Sequence, residues 1–469
     1  MSYLDPSSDG NWSRRAMLKL SACASVGTVS LFNTMMNLRQ ISAAVEAATS
    51  DTDFKALVCV FLYGGNDASN MLIPMDPTQY DLYRQWRSVL ALPSESLLTL
   101  DAYNDDGREL GMHPAMPGIS SLFAEEKAAV IQNVGTLYAP ATLSDYRNRT
   151  SAIPPHLFSH NDQQVLWQTS VAGEIAFEQT GWGGRMADLL NSTYNQDNVS
   201  MNISLDGANF FQTGETILPF RVGPGGNEQY YLGNGNGDSD EQRYAVFRRL
   251  LERQHANLME QTFADLSNRA IQDSDKISTA LEGTAAYPEI PTSRLGEQLR
   301  TVAKLIEARA ALGMRRQIYF CATGGFDTHG PQLDSHAGLL GGVDSALSGF
   351  YRALEAQGTQ TGVTTFTASD FGRTFDSNGR GSDHGWGSHH VVIGDDVVGK
   401  NLYGTYPDLA LTSNPLDTGR GRWLPTTSVD QYGATMAKWF GVPDSRLNEI
   451  FPNLHRFNDR DLGFMKAGV

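Results

Sequence analysis

The chain has 469 residues, of which 36 are basic and 52 acidic, for a formal net charge of −16. That balance repels phosphate backbones and anionic headgroups, and so argues against a nucleic-acid binder or an anionic-membrane binder. With 41% apolar and 10% aromatic residues, a sizeable core is within reach and wholesale disorder is excluded. The 46 glycines and 19 prolines follow no repeat, which points to a loop-rich globular protein and away from a fibre or solenoid.

The N-terminus reads as an address. Ser13-Arg14-Arg15-Ala16-Met17-Leu18-Lys19 sets paired arginines before a mildly apolar stretch running to about Leu38, diluted by Ser21, Ser25, Gly27, Thr28, Ser30 and Asn33. The small-residue tract Ser42-Ala43-Ala44-Val45-Glu46-Ala47-Ala48 follows and offers signal-peptidase sites. Residues 1–48 thus resemble a twin-arginine (Tat) signal peptide, read by a receptor and not by the bilayer; the alternative is a cytosolic amphipathic helix. The resemblance implies folding before export, the Tat translocase as a transient partner, and a periplasmic or extracellular location. No later segment holds roughly eighteen uninterrupted apolar residues, so a soluble mature protein without stable membrane insertion is expected. Cys23 lies in the signal, which leaves Cys59 and Cys321; a disulfide framework is absent, and whether these two pair stays open.

Along the mature chain, five apolar runs read as strands. They are 56–63 before Gly64-Gly65-Asn66-Asp67, 128–134 before Gly135, 317–323 before Gly324-Gly325-Phe326-Asp327, 363–368 before Ser369-Asp370, and the shorter 390–393. Runs apolar on both faces suit a parallel sheet with helices on each side. Helical patterns over 159–169, 241–267, 292–312 and 336–356 fall between them. The expected fold class is α/β, a mostly parallel open sheet with helices on both faces, in one domain over residues 50–469. The Gly- and Asn-rich segment 207–240 reads as an insertion or a substrate-facing loop system.

In such sheets ligands bind beyond the carboxyl ends of the strands. Asp67, Asp327 and Asp370 each follow a strand within a few positions, and if the strands are parallel the three carboxylates converge. Singly, each is also a common turn or cap residue. Five of the ten histidines, His329, His336, His384, His389 and His390, lie close together in sequence, and Asp383 precedes His384 directly. Carboxylate and imidazole without thiolate suit Zn²⁺ or Mn²⁺, and such a site can hold two ions. Structural Ca²⁺ is the alternative, and it explains the aspartates but not the imidazoles.

Ser159 follows Pro154-Pro155 at a natural N-cap. It reads either as a capping serine or as a nucleophile whose hydroxyl pKa a metal lowers at a helix N-terminus. Arg373, three residues past Asp370, reads either as an anion-binding group or as half of a surface salt bridge. There is no Gly-x-Ser-x-Gly elbow, and Gly223-Pro224-Gly225-Gly226 lacks the Lys-Ser/Thr of a phosphate-binding P-loop.

The motifs Phe61-Leu62-Tyr63-Gly64-Gly65-Asn66-Asp67, Phe158-Ser159-His160, Gly324-Gly325-Phe326-Asp327-Thr328-His329, Ser369-Asp370-Phe371-Gly372-Arg373 and Ser382-Asp383-His384-Gly385-Trp386-Gly387 together resemble a family of Tat-exported bacterial proteins. That family carries a domain of unknown function and is grouped with the alkaline phosphatase and sulfatase superfamily. The resemblance implies an alkaline-phosphatase-like sheet whose strand ends supply two metal sites. Asp67 matches the ligand after the first strand, Ser159 the nucleophile, Asp327 and His329 the later Asp-and-His pair, and Asp370 the strand-end Asp. Asp383 with His384, or His389, would complete the other metal. The chain departs from that pattern in three ways. Asp-x-His replaces Asp-x-x-x-His, with His336 as an alternative ligand, and Phe371 stands where a metal-binding His or Asn follows the strand-end Asp. The Cys-x-Pro-x-Arg signature of formylglycine sulfatases is missing.

Two functions are therefore expected as rivals. One is an exported metal-dependent hydrolase of phosphate or sulfate esters, acting on a small-molecule or polymer anionic ester. The other is a non-catalytic exported binding or assembly protein that retains the same scaffold.

Overall fold

Lys55–Leu62 (β1) is buried at every position, and the chain builds outward from it. The remaining strands of the large sheet are Ala128–Gly135 (β5), Asn202–Ser204 (β6), Phe220–Arg221 (β7), Arg316–Thr323 (β8), Val363–Ser369 (β9), Ser388–Ile393 (β10), Leu402–Tyr403 (β11) and Thr427–Ser428 (β12). Their order is β11-β5-β10-β9-β1-β8-β6-β7, with β12 also on β5. Leu72–Pro74 (β2), Leu98–Leu100 (β3) and Leu110–Met112 (β4) form a small antiparallel sheet. The structure is a computed structural model that describes residues 54–104, 107–171, 180–195, 199–223, 238–411 and 413–467, all within the unit Thr52–Val469. The signal-like residues 1–48 and the centre of the 207–240 segment lie outside the described residues.

The fold is α/β with a mostly parallel sheet. β1 pairs in parallel with β8 and β9, and Leu62 stands opposite both Thr323 and Ser369. The three strands therefore end level, and the loops bearing Asp67, Asp327 and Asp370 leave from one edge. β10 runs antiparallel to both of its neighbours, a direction that its apolar run did not disclose. Its reversal brings the loop that precedes it, 382–387, to the edge where the other loops follow their strands.

Alternation along the strands separates two cores. Ala56, Val58, Val60 and Leu62 face an aliphatic cluster with Val302 and Ile306 of helix Arg294–Glu307, Val343 and Leu347 of helix Gln332–Gln357, and Ile119 of helix Pro117–Ala124. The other face is aromatic. Phe61 meets Trp167 of helix His160–Thr169, and Phe366 meets Trp182 of helix Trp182–Tyr194 and Tyr432 of helix Val429–Phe440. Each fully buried large side chain contributes about 1.5–3 kcal/mol, so both layers hold the sheet. Cys59 lies beside Phe320 and Cys321 beside Val60. The two thiols thus point to opposite faces, and both are free.

Local chemistry sets the helix boundaries. The helical pattern over 241–267 divides into Asp238–Leu251 and Leu258–Leu281, because Asn257 caps the second helix by accepting from the Met259 amide at 2.8 Å. Helices Pro77–Arg87, Trp182–Tyr194 and Val429–Phe440 lie beyond those read from the sequence.

Candidate metal centre

Two glycines let the site loops close on one another. Gly64 has φ +113°, and a Cβ there would sit 2.4 Å from the Asp327 backbone nitrogen; only glycine permits the loop after β1 to touch the loop after β8. A Cβ on Gly372 would meet the Gly387 carbonyl at 2.0 Å. With glycine there, backbone bonds at 2.8 Å link Gly372 to Trp386 and Gly385 to Gly372, and they pin His384 over the end of β9. His160 opens helix His160–Thr169 on the same edge.

Four donor atoms converge at this edge. Nε2 of His384 lies 3.1 Å from Nε2 of His160, 3.0 Å from Nε2 of His329 and 3.2 Å from Oδ1 of Asp327. Asp327 Oδ1 in turn is 3.5 Å from His160 Nε2 and 3.0 Å from His329 Nε2. His160, Asp327 and His384 offer ligand atoms that all lie within 4.8 Å of one another.

The tautomers follow from the partners behind the rings, because carboxylates and carbonyls only accept. His160 Nδ1 donates to Asp370 Oδ2 at 2.6 Å, His329 Nδ1 to Asp383 Oδ1 at 3.1 Å, and His384 Nδ1 to the Phe158 carbonyl at 2.7 Å. With its proton on Nδ1, each imidazole turns a bare Nε2 lone pair toward the others and toward a carboxylate oxygen. Those lone pairs repel one another unless a proton or a metal ion lies among them. Donors held about 2.0–2.1 Å from a tetrahedral zinc ion stand about 3.3–3.4 Å apart, close to the spacings within the group of His160, Asp327 and His384, and that donor set fits a divalent ion of the Zn²⁺ or Mn²⁺ type.

The groups behind the donors tune them. Asp370 also accepts from Gln164, one turn along the His160 helix, at 2.9 Å and from the Gly64 amide at 3.3 Å. Its hydrogen bond raises the pKa of His160 above the ordinary value against the effect of burial. Burial lowers that of His384. Burial also opposes ionisation of Asp327, but the Arg373 guanidinium outweighs it and holds the carboxyl below its usual range. At Asp383 burial is likewise outweighed, here by Arg420, Asn378 and His329, with Arg420 2.5 Å away. The Asp327 and His329 side chains are 46% and 44% exposed, so the centre opens to solvent. The Phe371 ring lies 4.8 Å from the rings of both His160 and His384, tilted by 36° to each, and packs against the two imidazoles.

The structure thus brings Asp327, His329 and His384 together and sets Asp370 and Asp383 one hydrogen bond behind them. His160, quoted in the sequence only as the neighbour of Ser159, joins the donors; its place at the first position of a helix was legible, but the direction it faces was not. Arg373 is buried with its donors turned inward, to Asp327 at 2.9 Å, Gly64 O at 2.9 Å and Ser382 O at 2.6 Å, and so holds Asp327 and the loop in place. Asp67 is apart from the donors, fully buried and paired with Arg87 and Gln332. His389 is apart as well, stacked on Tyr406 and accepting from the Asn133 amide at 3.1 Å, its pKa lowered to about 3 by burial. His336 bonds Asn66 inside the core. Ser159 takes the N-cap position, yet its hydroxyl caps nothing and donates to Asp162 Oδ2 at 2.5 Å.

Residues 54–420 match the family described as "Protein of unknown function (DUF1501)", and the chain belongs to that family. No curated protein matches it by sequence. Among solved structures it is similar to the PsFucS1 sulfatase from Pseudoalteromonas sp., at 12% identity and TM-score 0.36 over 92% of this chain and 77% of that one. It is also similar to the phosphonate monoester hydrolase SpPMH from Silicibacter pomeroyi, at 7% identity and TM-score 0.34 over 83% and 73%. A third is the zinc complex of the C-terminal periplasmic domain of EcEptC from Escherichia coli, at 11% identity and TM-score 0.27 over 73% of each. Likenesses at these scores carry no weight for function. Among the described residues no helix is long and apolar enough to cross a membrane.

Proposed function

We propose that this chain is an exported metal-dependent hydrolase of phosphate or sulfate esters. The observation that carries the reading is the set of lone pairs that His160, Asp327, His329 and His384 turn on one another, each imidazole oriented by an acceptor behind it. A divalent ion held there would polarise the ester and stabilise charge on its oxygens.

Ser159 is the candidate nucleophile. Its hydroxyl is 2.5 Å from the Asp162 carboxylate, which accepts the proton as Oγ bonds to phosphorus or sulfur and the ester oxygen departs as the alcohol. Water then cleaves the serine ester and restores the hydroxyl. The amides of the first turn of the His160 helix, free of a side-chain cap, favour the anion. Export by the Tat translocase is the part of the reading that rests on Arg14-Arg15.

The test is elemental mass spectrometry of the purified chain, followed by a screen of aryl phosphates and sulfates. The reading expects zinc or manganese that is lost in Asp327→Ala and His384→Ala, and turnover that is lost in Ser159→Ala with the metal retained. Calcium alone, or no metal after reconstitution, overturns it in favour of a non-catalytic binding protein. Full turnover in Ser159→Ala removes the serine from the chemistry.

A further inference from the structure

A cavity of about 620 Å³ lies along the segment 146–158 that leads into the His160 helix. Tyr146, Ile153 and Phe158 give it apolar and aromatic walls, while Arg147, Arg149 and His156 supply basic groups. Neither Arg147 nor Arg149 has an ion-pair partner among the described residues, and both are exposed. The adjacent carboxylate, Asp145, is engaged by Thr142 and Thr150. In a chain of net charge −16, a cavity of this sign is an attractor for anions.

Two further observations tie the cavity to the metal centre. Phe158, which lines the cavity, gives its carbonyl to His384 Nδ1, and its ring lies 5.0 Å from the Arg422 guanidinium. The segment also holds three non-glycine residues in the left-handed region, Arg149 at φ 50°, His156 at 51° and Phe158 at 72°. Such backbone is strained and gathers where ligands are held.

We infer that the 146–158 cavity is the substrate subsite of the metal centre, and that it takes the body of an ester carrying a planar or sugar ring and a negative charge, with Arg147 and Arg149 as its recognition groups. The inference rests on the hydrolase reading for the word substrate, but binding to the cavity does not depend on turnover.

The test is calorimetric titration of the zinc-loaded protein with 2-naphthylphosphonate, an aryl anion that no esterase cleaves. The variants are Arg147→Ala combined with Arg149→Asn, since asparagine tolerates the left-handed backbone, and Arg147→Lys combined with Arg149→Lys. The expected results are about tenfold weaker binding in the first, from the loss of charge-assisted contacts, and recovery of most of it in the second, with metal content unchanged in both. Equal binding in the wild type and the first variant overturns the subsite, as does a wild type that does not bind. Arginine-dependent binding without hydrolysis of any ester keeps the cavity and defeats the hydrolase reading. Hydrolysis of 2-naphthyl phosphate with a KM unmoved by the arginine changes does the reverse.

Discussion

Asp370 and His160, 210 positions apart in the chain, meet at 2.6 Å with both of the carboxylate's oxygens already engaged by the Gly64 amide. The carboxylate is buried at the end of β9, so it works as an orienter: it fixes the proton on Nδ1 and leaves Nε2 to face the other donors. Asp370→Asn keeps the shape and removes the charge. The expected result is zinc binding weaker by about 10–100-fold, the usual cost of losing a partner behind a metal-binding histidine, in a protein that melts normally. Competition with a chromogenic chelator measures it, and unchanged affinity would detach Asp370 from the centre.

Asp67 gives the opposite expectation. Its carboxylate and the Arg87 guanidinium are both fully buried and in direct contact, and Arg87 also donates to Asn70 Oδ1 and the carbonyls of Thr374 and Phe375. A cation already lies against Asp67, whose Oδ2 takes both Arg87 and Gln332. Asp67→Asn leaves a buried guanidinium uncompensated and is expected to cost about 3–5 kcal/mol in chemical denaturation. Metal content is expected to stay at one equivalent per chain. A loss of bound metal in the variant would instead make Asp67 a ligand.

Asp430 lies buried at the start of helix Val429–Phe440, and burial pushes its carboxyl up to about 7 against the pull of Ser170 and Arg185. Between about pH 4, where an unfolded aspartate ionises, and pH 7, the folded chain holds a proton that the unfolded chain has released. The group's contribution is therefore greatest below pH 4, declines as pH rises through that window, and is flat above it. Denaturant titrations from pH 4 to 8 should show this decline in the parent and a shallower one in Asp430→Asn. Parallel curves for the two proteins would rule it out.

The legible parts of the centre were those where one short segment carries both geometry and chemistry. Asp327 and His384 stood out because a buried strand, glycines and a donor follow in a few residues. His160 was hidden by its neighbour: a serine at a helix start draws the nucleophile reading, and nothing local says that the imidazole beside it looks toward loops some 170 to 220 residues away. Asp67 looked like a ligand because Arg87, which neutralises it, arrives on a separate helix. The reversal of β10 was equally invisible, since a buried strand has the same composition in either direction. Arg373 read either as an anion-binding group or as half of a surface salt bridge, and only tertiary packing shows it buried with its donors taken by Asp327 and the loop it ties.

Cys59 and Cys321 occupy adjacent strands but opposite faces of the sheet, each sealed in its own layer. No oxidant can join them without dismantling the sheet, and burial pushes both thiols well above their usual pKa, which keeps them protonated and unreactive. Neither thiol of the described fold enters a covalent link, and a change from reducing to oxidising surroundings is expected to leave this pair as it is.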